Sequence, residues 1–324
     1  MLHIAIIGVG GLGMRYVQSL ARFKYEAKIQ IVDISDQALE KTKELFYSMK
    51  PEAHLTLESF HTIEGLEEQL DIAAIATGSM PRRKLTEYLL DTKHVKYLIL
   101  EKVLFPQIED YVVIKQKIEA HGCKAWVNCG RREQDFFSQL KEEFGGERID
   151  FSLTGNAWGL GCNTIHFLDL ISYITGDTEK ICINTEQLDP EIIKSKRPGY
   201  IEFTGTLTGS MGKCCRFSIT SNKGENVPII YSISSRNKLC IVKEFDKRAV
   251  YFESETNWES REVSFPIKLQ SEATAQLFEK IIETGNCRLP DYETSMKIHV
   301  PFLQELLKFM NEQNGRNTDI CLIT

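Results

Sequence analysis

A chain of 324 residues exceeds what one ordinary core organises and has room for two domains. Its 39 basic and 45 acidic residues leave a net charge of −6, and no Lys/Arg run is long enough to track phosphates, so nucleic acid is not an expected partner. No window approaches the ~20 apolar residues that cross a bilayer, and the opening Met1-Leu-His-Ile-Ala-Ile-Ile-Gly reads as a first strand rather than a leader. The nine cysteines are odd in number and include no Cys-x-x-Cys pair. That pattern suits a reducing cytoplasm better than a disulfide framework, and it offers no ligand spacing for a metal. In strand register the vicinal Cys214-Cys215 points its side chains to opposite faces.

Residues 1–130 alternate short apolar runs with amphipathic stretches. Strands are expected at Ile4–Ile7, Lys28–Val32, Ile72–Ala76, Tyr97–Leu100 and Ala125–Val127. Helices are expected at Leu12–Phe23, Gln37–Tyr47, Pro81–Leu90 and Ile108–His121. Continuous apolar strands between amphipathic helices indicate a parallel sheet covered on both faces, a Rossmann-type α/β domain. Residues 131–324 read as an α+β domain on a largely antiparallel open sheet. Its helices are expected at Glu133–Phe144, Thr164–Ile174, Glu272–Thr284 and Glu293–Glu312. Its strands are expected at Ile149–Asn156, Lys180–Thr185, Tyr200–Thr208, Lys213–Ser221, Ile229–Ser234, Lys238–Lys243 and Ala249–Glu253, with a hairpin turn at Thr208–Gly212 and a surface loop at Leu188–Gly199. These helices suffice for one face of the sheet. The other face, carrying Thr, Phe, Cys and charged side chains, is expected to pair in a homodimer or homotetramer.

Gly8-Val-Gly10-Gly11-Leu12-Gly13 follows the first strand directly and opens the first helix. The first glycine permits the tight turn, the second lets backbone approach a pyrophosphate, and the third lets helix pack on strand. The helix N-terminus then receives the anion on its free N–H groups. Asp33 closes the second strand, placed to accept hydrogen bonds from ribose hydroxyls. Ile34 follows it and no Arg stands ready for a 2′-phosphate, which favours NAD over NADP. Thr77-Gly78-Ser79 lies at the carboxyl end of a sheet strand, where ligand crevices form, although a plain turn accounts for the same residues. Glu101-Lys102 ends another such strand, with a solvated charged pair as the alternative. Arg131 and Arg132 follow the last strand of this domain and suit either an anionic substrate or interdomain salt bridges. His166 and Asp169 are three apart on one helical stretch, so a carboxylate stands within reach of an imidazole.

Together these features resemble the glucose-fructose oxidoreductase, inositol dehydrogenase and rhizopine-catabolism family. The resemblance rests on the glycine turn, the Ala76-Thr77 loop, Glu101-Lys102 and Gly161-Cys-Asn-Thr-Ile-His166-Phe-Leu-Asp169. The family's Glu-Lys-Pro triplet puts a lysine between the nicotinamide ribose and the substrate. Here the triplet is Glu101-Lys102-Val103, with lysine kept and proline replaced. By the same resemblance His166 faces the nicotinamide as general base, and Arg131 and Arg132 approach the substrate. Trp158, in the loop before that helix, and Asn163, as a neutral hydrogen-bonding group, are further substrate contacts expected from their positions, with Asp169 supporting the site rather than carrying a proton. Cys162 stands where the family commonly has aspartate. The resemblance extends to a bacterial subgroup associated with making surface sugars, which implies a sugar-like small-molecule substrate.

The function implied is NAD-dependent hydride transfer at a secondary alcohol of a sugar, sugar derivative or cyclitol, with Lys102 and His166 catalytic. Cofactor contacts are expected from Gly8, Gly10, Gly11, Leu12, Gly13, Asp33, Thr77, Gly78, Ser79, Glu101 and Lys102. Two alternatives share the scaffold. One is an NAD-dependent glycosidase or lyase with no net redox change, and the other is a non-catalytic dinucleotide-binding sensor.

Overall fold

A computed structural model of the chain describes every residue except Cys214 and Arg316. The expectation for the Cys214-Cys215 pair therefore falls partly outside the described residues. The chain forms two compact units, one of Met1–Phe105, Glu109–Asn128 and Lys268–Glu293, the other of Pro106–Ile108, Cys129–Ile267 and Thr294–Thr324.

In the first unit, β1 (Leu2–Ile7), β2 (Ala27–Val32), β3 (Leu55–Phe60), β4 (Gln69–Ile75), β5 (His94–Leu100) and β6 (Lys124–Val127) pair in the order β3-β2-β1-β4-β5-β6. Every pairing is parallel. The connecting helices are α1 (Gly13–Leu20), α2 (Asp36–Ser48), α3 (Ser79–Thr92) and α4 (Ile108–Ala120). Strands β1, β4 and β5 are buried over four consecutive residues at their carboxyl ends, as a sheet covered on both faces requires. The order reverses between β1 and β4, which puts the glycine turn at the switch point where open α/β sheets take ligands. The edge strand β3 has no continuous apolar run: Leu-Thr-Leu-Glu-Ser-Phe is interrupted by polar residues and buries only Leu55, which leaves a weak strand signal.

The second unit contains α5 (Asp135–Phe144), β7 (Ile149–Asn156), α6 (Leu160–Thr175), β8 (Ile181–Leu188), β9 (Ile193–Lys194), β10 (Ile201–Glu202), β11 (Gly205–Met211), β12 (Cys215–Asn222), β13 (Val227–Ser234), β14 (Lys238–Lys243), β15 (Arg248–Glu253) and β16 (Ser260–Ser264). Eight of these strands form one sheet in the order β16-β15-β14-β13-β7-β12-β11-β8. Only the β7–β12 pair within it is parallel. The single strand expected over Tyr200–Thr208 is split. Residues Ile201–Glu202 pair with Ile193–Lys194, inside the stretch expected to be a loop. The hairpin also turns later than expected, since pairing continues to Met211 and Cys215.

Helix α6 packs on one face of this sheet, where the rings of Phe151, Phe167 and Tyr231 meet. Cys215 and Phe217 point into that core. This corrects the expectation that Phe and Cys of this strand face outward. Across the opposite face one register row runs through Cys182, Ser210, Arg216, Asp150, Ser234, Leu239 and Phe252. The next row is built largely of Asn184, Thr208, Ser218, Ser152 and Ser232.

Two helices close the chain, α7 (Gln270–Thr284) and α8 (Tyr292–Asn314). The sequence assigned α7 to the second domain, whereas it belongs to the first unit. Its stripe of Ala275, Leu277, Phe278 and Ile281 joins the core made by Tyr16, Val17 and Leu20 of α1. The Ala275 N–H donates to the Ser19 hydroxyl at 3.0 Å. Burial of that stripe outweighs closeness in sequence.

Candidate functional site

In the first unit the glycine turn is fixed by contacts that exclude side chains. Gly8 has φ +86°, and a Cβ there would lie 2.5 Å from Thr77 Cγ2. A Cβ on Gly13 would lie 1.9 Å from the Gly8 carbonyl oxygen. Beside these closed positions Gly10 and Gly11 are exposed, with open space where their Cβ atoms would be. Leu12 caps α1 without a side-chain acceptor, and no acidic residue occupies the first turn. The N-terminus of α1 thus keeps the positive end of its dipole uncompensated by side chains.

Asp33 is held at the lip of this turn. Its Oδ2 accepts the Val9 N–H at 2.9 Å and its Oδ1 accepts the Ser35 N–H at 3.0 Å. Each carboxylate oxygen retains lone-pair capacity for a further donor. Ile34 beside it is 92% exposed. Gly78 caps α3, Ser79 is buried in its first turn, and the buried Thr77 hydroxyl finds no hydrogen-bond partner. An open glycine cradle, an uncapped helix N-terminus, a fixed carboxylate and an orphan hydroxyl fit a dinucleotide, with Gly8–Gly13, Asp33 and Thr77 as the residues that would hold it.

Glu101 is not a solvated end of its strand. It is 4% exposed, and its Oε1 accepts the Tyr16 hydroxyl at 2.5 Å and Asn128 Nδ2 at 2.6 Å. Asn128 Nδ2 also reaches Gln270 Oε1 at 3.0 Å. Burial pushes the Tyr16 phenol well above its usual range, and the Glu101 charge adds to that. Lys102 is half-buried next in sequence, and its peptide to Val103 is cis. Tyr16, Asn128 and Gln270 were absent from the sequence reading. Their signals, an inward position on the first helix, a strand end and a helix start, do not stand out without the fold.

In the second unit α6 begins at Leu160, so Cys162 and Asn163 lie in its first turn rather than in the preceding loop. The buried Glu202 carboxylate caps this turn, accepting the Gly161 N–H at 2.7 Å and the Cys162 N–H at 2.9 Å. Sequence reasoning missed Glu202 because its strand was misjoined. Asn163 Nδ2 donates to the Trp158 carbonyl at 2.7 Å, and the Trp158 indole N–H donates to the Thr220 carbonyl at 2.9 Å. The Cys162 thiol is half-buried, 3.6 Å from the Gly159 carbonyl. His166 is half-buried on the same helix.

Asp169 does not serve His166 as the sequence suggested. It is 2% exposed, and Arg132 binds it in a fork, Nε to Oδ2 at 2.9 Å and Nη2 to Oδ1 at 2.7 Å. Burial raises the Asp169 carboxyl above its ordinary value, and Arg132 pulls it back. Arg131 makes a similar fork to Glu244, at 3.1 and 2.8 Å, and lies over the Phe167 ring. Both guanidinium groups are thus matched by carboxylates of their own unit, which replaces the expected interdomain salt bridges by pairs within the unit. Replacing Asp169 with Asn should leave a buried cation unmatched and cost about 3–5 kcal/mol of stability, measured by denaturant unfolding. A loss below about 1 kcal/mol would place this pair among energetically idle contacts.

Residues 2–129 match the family model described as the oxidoreductase family, NAD-binding Rossmann fold. No curated protein sequence matches the chain. Among solved structures, the UDP-N-acetylglucosamine 3-dehydrogenase of Acidithiobacillus ferrooxidans is 14% identical with a TM-score of 0.70, over 94% of this chain and 96% of that one. A levoglucosan dehydrogenase in complex with NADH is 13% identical with a TM-score of 0.71, over 96% and 97%. A super-repressor mutant of Gal80p from Saccharomyces cerevisiae is 12% identical with a TM-score of 0.72, over 96% of both chains. At such identities the likeness is one of fold, and the fold carries both dehydrogenases and a repressor.

Proposed function

We propose that this chain, whose residues 2–129 match the oxidoreductase family's NAD-binding Rossmann fold, is a dehydrogenase of a secondary alcohol on a sugar or sugar derivative. The observation that carries the reading is the anchored Glu101 beside Lys102 at the carboxyl edge of the same sheet as the glycine turn. Two fold neighbours that act on sugars agree with it. NAD, when bound, supplies the hydride acceptor. The Lys102 ammonium holds the substrate oxygen and offsets negative charge as it develops there. His166 takes the hydroxyl proton, while Cys162 and Asn163, one helical turn before it, meet the sugar. Asp33 favours a free ribose hydroxyl and repels a 2′-phosphate, so NAD is preferred over NADP.

A panel of nucleotide sugars, free sugars and cyclitols, followed by nicotinamide absorbance, should yield at least one oxidised compound. With that compound, Lys102→Ala and His166→Ala should each lose about 10²- to 10⁴-fold in turnover while keeping the melting temperature, and His166→Ala should also keep NAD affinity. Full NAD binding without turnover of any compound, or near-normal turnover by either variant, would contradict the proposal.

The open face of the second unit's sheet carries Ser, Thr, the exposed Arg216–Asp150 ion pair and a few apolar side chains over eight strands, a surface suited to an isologous interface between two copies. Cys182 sits on that face and is exposed, so it reports on assembly. Its alkylation by iodoacetamide should slow as protein concentration rises through the dimerisation range, in step with mass from light scattering. Buried Cys123 and Cys240, whose thiols burial pushes up to about 12, should stay inert throughout. A labelling rate for Cys182 independent of a measured dimerisation would put the interface elsewhere.

A further inference from the structure

Among the described residues Arg82 is one of the largest fully buried side chains, 1% exposed on α3. A guanidinium so placed needs fixed acceptors, and its two terminal nitrogens find them on two different loops. Nη1 donates to the Val103 carbonyl and, at 2.9 Å, to the Leu104 carbonyl. Nη2 donates to the Thr77 carbonyl. The first loop follows β5 and contains Lys102; the second follows β4 and closes against the glycine turn, where a Cβ on Gly8 would meet Thr77 Cγ2. On its other side Lys102 adjoins Glu101, held by Tyr16 and Asn128. The backbone on both sides of Lys102 is therefore anchored, and the anchor on the C-terminal side is tied to the loop that lines the dinucleotide cradle.

We propose that Arg82 is a positioning residue that sets Lys102 against the bound dinucleotide, by joining the Thr77 and Lys102 loops through their carbonyls. This rests on the reading of Lys102 given above. The planar fork of arginine spans several acceptors at once, whereas a lysine offers a single point of attachment.

Acetylation of Lys102 by acetic anhydride, read by mass spectrometry with and without NAD, tests this without a known substrate. With NAD at about twenty times its dissociation constant, a shielded lysine should lose about twentyfold in acetylation rate, because only the unbound fraction reacts. Wild type should show that protection. Arg82→Met and Arg82→Lys should bind NAD within about threefold of wild type by calorimetry and unfold cooperatively. Protection of Lys102 should nevertheless fall to about threefold or less in Arg82→Met, with Arg82→Lys between it and wild type. Folded variants that protect Lys102 as wild type does would overturn the role of Arg82. So would failure of both variants to fold, which would make Arg82 a folding residue. Absence of protection in wild type itself would instead remove Lys102 from the cofactor, and this inference would fall with that reading.

Discussion

The first unit is organised by an approach too close for any side chain. Helix α1 meets the end of β1 with the Gly8 carbonyl oxygen 1.9 Å from where a Cβ of residue 13 would stand. That contact sets the direction of α1, aims its N-terminus at the carboxyl edge of the sheet, and places Tyr16 on the inward side of its first turns. From Tyr16 the constraint passes to Glu101 at 2.5 Å, and so to the residue beside Lys102. Through Phe278 it also reaches α7, whose stripe completes the α1 core. Cofactor cradle, lysine and a helix from far along the chain thus share one origin.

Buried charge does the rest of the positioning. Arg82, Glu101, Arg132, Asp169 and Glu202 are all under 10% exposed. Each of these five side chains makes hydrogen bonds to backbone groups or to neighbouring polar side chains. Such groups add little net stability over apolar replacements, but they tolerate few arrangements, because an unmatched one is costly. Arg82 and Glu101 stand where loops leave the first sheet, Glu202 caps the first turn of α6, and Asp169 within α6 binds Arg132. At the carboxyl edge of the first sheet, Glu101 and Arg82 anchor the loops that leave β4 and β5.

Much of this was legible in the sequence, for physical reasons. Strands buried on both faces write themselves as apolar runs, and Gly8–Gly13 with Asp33 has a spacing that only the strand-turn-helix explains. The missed strand Leu55–Phe60 lies at an edge, where burial is one-sided and the run is broken by polar residues. Helix α7 was legible as a helix but not as a part of the first unit, because a partner 250 residues away leaves no local trace. The site divides the same way. Cofactor residues have a local motif, whereas Asp169 looked like a partner for His166 because spacing on a helix says nothing about Arg132, brought in from before α5. Arg82, Tyr16, Asn128 and Glu202 act through tertiary contacts and carry no motif at all.

The glycine turn is shaped for a dinucleotide and not only for folding. Gly10 separates the two, since a Cβ there meets nothing within 4 Å and its backbone does not need a glycine. Calorimetric titration of Gly10→Ala with NAD is therefore the direct test. The variant should keep the wild-type melting temperature and lose at least about tenfold in NAD affinity, because the added methyl occupies the path by which the pyrophosphate reaches the backbone. A folded Gly10→Ala protein that binds NAD as tightly as wild type would contradict it.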